Sequence, residues 1–154
     1  AYLIDLDLKN VQTYIQSGNV VFESADANSV ELAQKISEKI NAEKGFLPQV
    51  MCRQKAHFEA IVRANPMMKK ESVYKPHHLY LFNHPTENAQ AQEALMALKS
   101  PTEDFCLTDE ALYLCAPEGI GRSRLVAKLD DILGVHTTGR NWMTVFKLMT
   151  MLGT

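Results

Sequence analysis

The sequence predicts an α+β fold made of two halves with a similar order of strands and helices. Two hairpin signals, one in each half, are the first observation, and amphipathic segments of helical period around them are the second. The third is composition: 46% of the 154 residues are hydrophobic, which is enough for an ordinary core.

A β-hairpin is predicted near the start. Residues 11–16 and 19–23 alternate between the two faces of a strand and are rich in Val, Ile, Tyr and Phe. Gly18 or Asn19, at the turn between them, tolerates the positive φ of a tight turn. Residues 2–8 carry apolar side chains at helical spacing and are expected to end a helix that starts before Ala1. The chain is therefore expected to be part of a longer protein.

A helix, a strand and a second helix are predicted next. Asn28 has the properties of an N-cap, with Glu31 completing a capping-box pattern, and Gly45 stands where a helix would end. Residues 49–53 read as a strand and residues 55–64 as a helix, which the following Asn-Pro pair stops.

The second half shows a related order. Residues 67–76 have no clear period and are predicted to link a first half, 1–66, to a second half, 77–154. The predicted elements of the second half are a strand at 79–82, a helix from an N-cap at Thr86 to about Lys99, a hairpin of 104–107 with 111–116, and helices at 122–133 and 141–152.

If a strand precedes residue 2, both halves begin in the order β-α-β-β-α, which is that of split-βαβ or ferredoxin-like domains. The predicted architecture is thus two ferredoxin-like halves, the first lacking its opening strand in this chain and the second ending in an extra helix. The alternative is one mixed sheet with helices on one face.

Composition excludes several classes of protein. No apolar run has the length of a membrane span, and the start lacks a secretory pattern. Three cysteines are too few and odd in number for a disulfide framework, so buried thiols in a cytoplasmic protein are expected. The five histidines lack the spacing of a zinc site, and no dinucleotide or P-loop fingerprint is present, so we expect neither metal nor cofactor.

Three motifs carry a resemblance to a known family. They are residues 13–22 (TYIQSGNVVF), residues 119–125 (GIGRSRL) and residues 137–142 (TTGRNW) running on to Thr144, Lys147 and Leu148. In this order they resemble a mainly bacterial family, domain of unknown function number sixteen-ninety-seven. The resemblance implies paired ferredoxin-like domains with an opening strand and a Gly-rich turn that this chain lacks. It implies no activity.

The candidate ligand-binding residues lie at predicted helix starts or at the hairpin turn. They are Ser17, Asn19, Arg122, Ser123, Arg124, Thr138, Arg140 and Asn141. Free amides at a helix start attract anions, and arginines add forked donors. The alternative is structural: Asn19 serves the turn, Ser123 and either Thr138 or Asn141 cap helices, and the arginines pair with acids of the protein.

The C-terminal part of the chain differs in net charge from the rest. From Gly119 onward there are five basic and two acidic residues, a net charge of +3, whereas the whole chain carries −2. Such a basic segment favours an anionic ligand, or docking onto an acidic surface of the same or another subunit.

Three functions remain open from the sequence. The first is a binding module for an anionic small molecule or nucleic acid at the basic helix starts. The second is a protein-interaction module that forms a homodimer through an apolar surface. The third is an enzyme with a site between the halves, and no catalytic residue is identified for it. None of the three involves a membrane.

Overall fold

A computed structural model of the protein describes residues 6–14, 18–26, 28–69, 73–87 and 89–153. These residues form the following strands and helices in chain order: β1 Lys9–Tyr14, β2 Asn19–Glu23, α1 Ser29–Lys44, α2 Lys55–Arg63, β3 His77–Phe82, α3 Ala91–Leu98, β4 Asp104–Leu107, β5 Ala111–Cys115, α4 Arg124–Leu133, β6 Thr137–Asn141 and α5 Trp142–Met151. The predicted α+β class is confirmed: helices and two antiparallel sheets make up the fold.

The chain divides into two compact units. Unit 1 comprises Ala1–Ala60 and Lys147–Thr154, and unit 2 comprises Ile61–Phe146. The boundaries between the units fall within α2 and α5. No helix in the described part of the chain is both long and apolar enough to cross a membrane.

Unit 1 contains the predicted hairpin strands and the predicted capped helix. β1 and β2 pair antiparallel, with Tyr14 opposite Asn19. Asn28 caps α1, because its Oδ1 accepts from the N–H groups of Val30 and Glu31. Gly45 ends the helix in the left-handed conformation, at φ +82°, as its position predicted. The predicted helix at residues 2–8 lies mostly outside the described residues.

A small core holds unit 1 together. Leu32 and Ile36 on one face of α1 are buried with Leu8, which lies just before β1. Apolar side chains of β1, β2 and the segment after α1 pack against them, among them Val11, Phe22 and Val50. The N-cap and the i, i+4 apolar pair together explain why this segment is helical.

Unit 2 is built on a four-stranded antiparallel sheet in the order β4-β5-β3-β6. Its elements follow one another as β-α-β-β-α-β, and β3 lies between β5 and β6, the two strands that α4 connects. That is the connectivity of a split-βαβ arrangement. The prediction that both halves are ferredoxin-like stays a prediction.

One face of this sheet packs against α3 and α4. Tyr80, Phe82, Leu112 and Leu114 are buried from the strand side, and helical residues complete the core: Ala91, Leu95, Leu125, Leu129 and Leu133. Ser123 and Gly134 delimit α4 as N-cap and left-handed C-cap. The apolar spacing of α4 therefore buries one helical stripe and leaves the polar face in solvent.

Three predicted elements differ from the structure. Residues 137–141 form the strand β6 instead of leading into a helix, because their backbone pairs with β3. Residues 49–53, predicted as a strand, have no regular secondary structure. Thr86 does not begin a helix: its N–H donates to the carbonyl of Asp109, and α3 starts only at Ala91.

Candidate anion-binding site

The loop between β5 and α4 is built from two consecutive turns. The N–H of Gly119 donates to the carbonyl of Ala116 at 2.9 Å, and the N–H of Ser123 donates to that of Ile120 at 3.1 Å. Gly119 adopts a φ of +87°, which a residue with a side chain rarely adopts. Ile120 packs against the core of unit 2, so it anchors the loop while its neighbours Gly119 and Gly121 stay exposed.

Ser123 closes the loop and starts α4. Its Oγ accepts from the N–H of Val126 at 3.2 Å, and its side chain is buried. This hydrogen bond satisfies one of the donors that every helix start leaves unpaired. Ser123 was predicted as a ligand residue or a cap, and in the structure its hydroxyl serves as the cap.

Arg122 and Arg124 stand on either side of that cap. Both are exposed, and neither has an ion-pair partner within the residues that the structure describes. The first turn of α4 contains no acidic residue, so two cations stand unopposed at the positive end of a helix. Without a bound anion this arrangement lowers the stability of the protein, because the positive end of the helix dipole repels both arginines.

Backbone donors add to the positive potential at this point. Over the described chain, the N–H groups of Gly121, Arg122 and Arg124 donate to no protein acceptor. A Cβ placed on Gly121 would meet nothing within 4 Å, so a ligand can approach the backbone closely there. Amide hydrogens, guanidinium groups and open space are the features that bind phosphate or carboxylate groups.

Arg140 belongs to the strand β6, not to a helix start as its sequence context predicted. It lies opposite Leu79 of β3, and burial lowers the pKa of its guanidinium. β6 runs parallel to β5, because both pair antiparallel with β3 between them. The carboxyl ends of β5 and β6 therefore lie at the same end of the sheet, but Arg140, paired with Leu79, projects from the sheet face opposite α4.

The remaining predicted ligand residues have structural partners or lie elsewhere. Thr138 is a half-buried residue of β6 opposite Leu81. The Oδ1 of Asn141 accepts from the N–H of Thr144 at 2.9 Å, which caps α5. In unit 1, the buried Asn19 donates to the carbonyl of Tyr14 at 3.2 Å. Ser17 lies outside the described residues.

Sequence reasoning did not single out one polar residue at this end of the sheet. His77 opens β3, is buried, and has an Nδ1 with no hydrogen-bond partner in the part of the chain that the structure describes. In the sequence, only its position at the start of an apolar strand could have drawn attention to His77. The described residues contain no group of three or more His, Cys, Asp or Glu side chains that could hold a metal ion.

Comparison with protein families matches residues 1–113 to the family described as "Protein of unknown function (DUF1697)". The chain belongs to this family. The match confirms the predicted resemblance and includes the first of its three motifs, residues 13–22. The other two motifs, which carry Arg122, Arg124 and Arg140, lie after the matched residues.

A solved structure supports the fold of this DUF1697 protein. It is similar to the conserved bacterial protein SP0830 from Streptococcus pneumoniae, with a TM-score of 0.72 and 21% sequence identity. The alignment covers 97% of this chain and 84% of that chain. Comparison with curated proteins finds no match.

Proposed function

We propose that this DUF1697 protein binds an anionic small molecule through a phosphate group at the start of α4. The observation that carries the proposal is the pair Arg122 and Arg124, two exposed cations without an ion-pair partner among the described residues. They flank backbone N–H groups that lack protein acceptors. A phosphate would receive charge-assisted hydrogen bonds from both kinds of donor.

Phosphate is favoured over a neutral ligand because of the local charge. A cation at a helix N-terminus is unfavourable by roughly 0.3–1 kcal/mol, and the unfavourable energy is relieved when an anion occupies the site. The buried cap at Ser123 and the anchored Ile120 hold the donors in place before a ligand arrives. Little ordering of the loop is then needed on binding.

A small molecule is favoured over nucleic acid by the charge of the whole protein. The chain carries a net charge of −2, and nucleic-acid affinity arises largely from many simultaneous phosphate contacts. Two arginines at one helix start match a single phosphate group. A nucleotide or a sugar phosphate has that size and charge.

The experiment is a thermal-shift screen at low salt with inorganic phosphate, nucleotides, sugar phosphates and a short RNA. The wild type is compared with Arg122→Gln/Arg124→Gln. The control is Lys128→Gln, which removes an exposed cation from the same helix, away from its start. A ligand at a hundred times its Kd should stabilise the wild type by about 2.7 kcal/mol.

The expected result is a shift with a small phosphorylated compound that disappears in the double arginine variant and persists in Lys128→Gln. A shift that Lys128→Gln reduces equally would indicate general charge attraction and reject the site. A shift with RNA alone, falling steeply with salt, would replace the small molecule with nucleic acid. No shift with any compound would contradict the proposal.

A further inference from the structure

The outer edge of β4 carries backbone donors and acceptors that no other strand uses. In the order β4-β5-β3-β6, β4 stands at one edge of unit 2's sheet and, within the described residues, pairs only with β5. A strand at a sheet edge directs the N–H and C=O groups of every second residue away from its neighbour. Such a row of groups can accept another strand.

The register with β5 identifies the outward residues of β4. The N–H of Thr108 donates to the carbonyl of Ala111, which lies opposite it, at 2.9 Å. Because hydrogen-bonded and non-hydrogen-bonded pairs alternate along an antiparallel ladder, Cys106 bonds to β5, whereas Phe105 and Leu107 direct their N–H and C=O groups outward. None of these four outward groups has a hydrogen-bond partner in the part of the chain that the structure describes.

Hydrogen bonds on the other side of β5 give the same assignment. The N–H of Ala116 donates to the carbonyl of Pro76 at 2.7 Å, and the N–H of Phe82 donates to that of Glu110 at 3.2 Å. The even-numbered residues of β5 therefore bond to β3, and the odd-numbered ones, including Tyr113, bond to β4. The outward direction of two residues in β4 thus rests on bonds from both neighbours of β5.

β4 lacks the features that usually protect a sheet edge. Its sequence, DFCL, has no lysine or proline and a single charge, at its first position, and its register with β5 has no bulge. Phe105, Cys106 and Leu107 are only half-buried. The opposite edge, β6, is protected, because Nη1 of Arg140 donates to the outward carbonyl of Gly139 at 2.8 Å.

The edge of β4 is complementary to a second copy of itself. Its two outward residues stand symmetrically about Cys106, so a two-fold axis at Cys106 places Phe105 of each copy opposite Leu107 of the other. All four outward groups of each copy then form hydrogen bonds. Asp104 lies opposite Thr108 of the second copy, so no two charged residues of the paired strands face each other.

From this geometry we infer that the protein forms a homodimer in which β4 pairs antiparallel with β4 of a second copy. The two four-stranded sheets join into one continuous sheet. Half-buried Phe105 and Leu107 gain an apolar contact across the new pair. The two copies of Cys106 form a non-hydrogen-bonded pair with Cα atoms about 4.5 Å apart, a separation that a disulfide can bridge.

The free thiol of Cys106 therefore reports whether this register forms in solution. Cys52→Ser/Cys115→Ser retains only Cys106, and the matched control Cys52→Ser/Cys106→Ser retains only Cys115. Each protein is oxidised with copper phenanthroline and separated on a non-reducing gel. Light scattering after size-exclusion chromatography measures the mass of the unoxidised wild type over a range of concentrations. The expected mass rises with concentration to about twice the 17.3 kDa of one chain.

A second pair of variants tests the backbone hydrogen bonds. Leu107→Pro removes an outward N–H and leaves the bonds to β5 in place, whereas Leu107→Ala shortens the same side chain and keeps that N–H. Leu107→Pro is expected to be monomeric at concentrations at which Leu107→Ala still forms the dimer. Thermal denaturation verifies that both variants are folded.

The protein with Cys106 alone is expected to form a covalent dimer, and the protein with Cys115 alone is expected to remain mostly uncrosslinked. A wild type that stays monomeric at every concentration would overturn the inference, as would crosslinking of Cys115 at the rate of Cys106. Both results can be obtained even if Leu107→Pro does not fold. A folded Leu107→Pro protein that dimerises as well as Leu107→Ala would also contradict pairing through β4.

Discussion

The ring of Tyr80 lies against the backbone of Gly139 on the neighbouring strand. A Cβ added to Gly139 would be 2.5 Å from Cε1 and 2.9 Å from Cδ1 of Tyr80. The N–H of Asn83 donates to the carbonyl of His136, and the alternation of pair types then makes Tyr80 and Gly139 a closely spaced, non-hydrogen-bonded pair. The aromatic ring covers the position where a side chain would stand, and it packs in the core of unit 2.

Gly139→Ala is therefore expected to destabilise the protein by about 1–3 kcal/mol, because the added methyl group would push the buried Tyr80 ring out of its packed position. Urea denaturation measures the change. Gly121→Ala is the matched control, since a Cβ there meets nothing within 4 Å, and its stability should lie near that of the wild type. Equal stability of the two variants would show that the Tyr80 ring moves aside freely.

A second prediction concerns the hydroxyl of Tyr113. It donates to the carbonyl of Ile61 at 2.6 Å, in a buried contact between β5 and α2 within unit 2. Tyr113→Phe should lower the free energy of unfolding by about 1–2 kcal/mol, because the carbonyl loses its partner. In Tyr80→Phe the loss should be smaller, since the Tyr80 hydroxyl makes no hydrogen bond to the described residues. Comparable losses in both variants would contradict the assignment.

The stability of the protein at high pH is expected to depend on the phenol groups of Tyr80 and Tyr113. Burial raises the pKa of Tyr80 and of Tyr113 to about 12, above the ordinary value of 10.0. The folded state thus holds these protons more tightly than the unfolded state. The two phenols contribute fully to the free energy of unfolding below pH 10. This contribution, on the order of 2 kcal/mol for each phenol, is lost as the pH rises from 10 to about 12.

Denaturation midpoints measured across that pH range should fall more steeply for the wild type than for Tyr80→Phe/Tyr113→Phe. Ultraviolet titration of the folded protein should show two tyrosines that ionise only near pH 12. Ionisation of all tyrosines near pH 10 in the folded protein would rule out the expected pH dependence.

The sequence predicted correctly the elements whose ends are set by interactions between residues close together in the chain. The N-cap Asn28 and the terminating Gly45 fixed the bounds of α1, because their hydrogen bonds and backbone angles involve residues within one turn. Elements that depend on distant partners were missed. Thr86 resembles an N-cap, but its Oγ1 donates to the carbonyl of Leu133, a contact that sequence proximity does not show.

The strand β6 shows the same dependence on distant residues. Its sequence, TTGRN, has little apolar alternation and a glycine in the middle, so its strand structure comes from pairing with β3 and from the Tyr80 ring over Gly139. Arg140 was consequently expected at a helix start. Its place on an edge strand, on the sheet face opposite α4, follows from the strand order, which local sequence patterns do not show.

The candidate anion site was partly visible in the sequence. Two glycines followed by Arg122, Ser123 and Arg124 predicted a basic helix start, and the structure has one there. The outward side of β4 was not visible, since the sequence of one strand does not show which of its backbone groups a neighbouring strand uses. Only the register of β4 and β5 identifies Phe105 and Leu107.

The cap at Ser123 allows stability and anion binding to be separated. Ser123→Ala should cost about 1 kcal/mol, because the N–H of Val126 loses its acceptor. Ser123→Asp should retain most of the stability, since an aspartate caps equally well and its charge is favourable beside Arg122, Arg124 and the helix dipole. The same carboxylate would neutralise the site, so phosphate-induced thermal stabilisation should disappear in Ser123→Asp and persist, from a lower midpoint, in Ser123→Ala. If phosphate still raised the melting temperature of a folded Ser123→Asp protein, the anion would have to bind at another place.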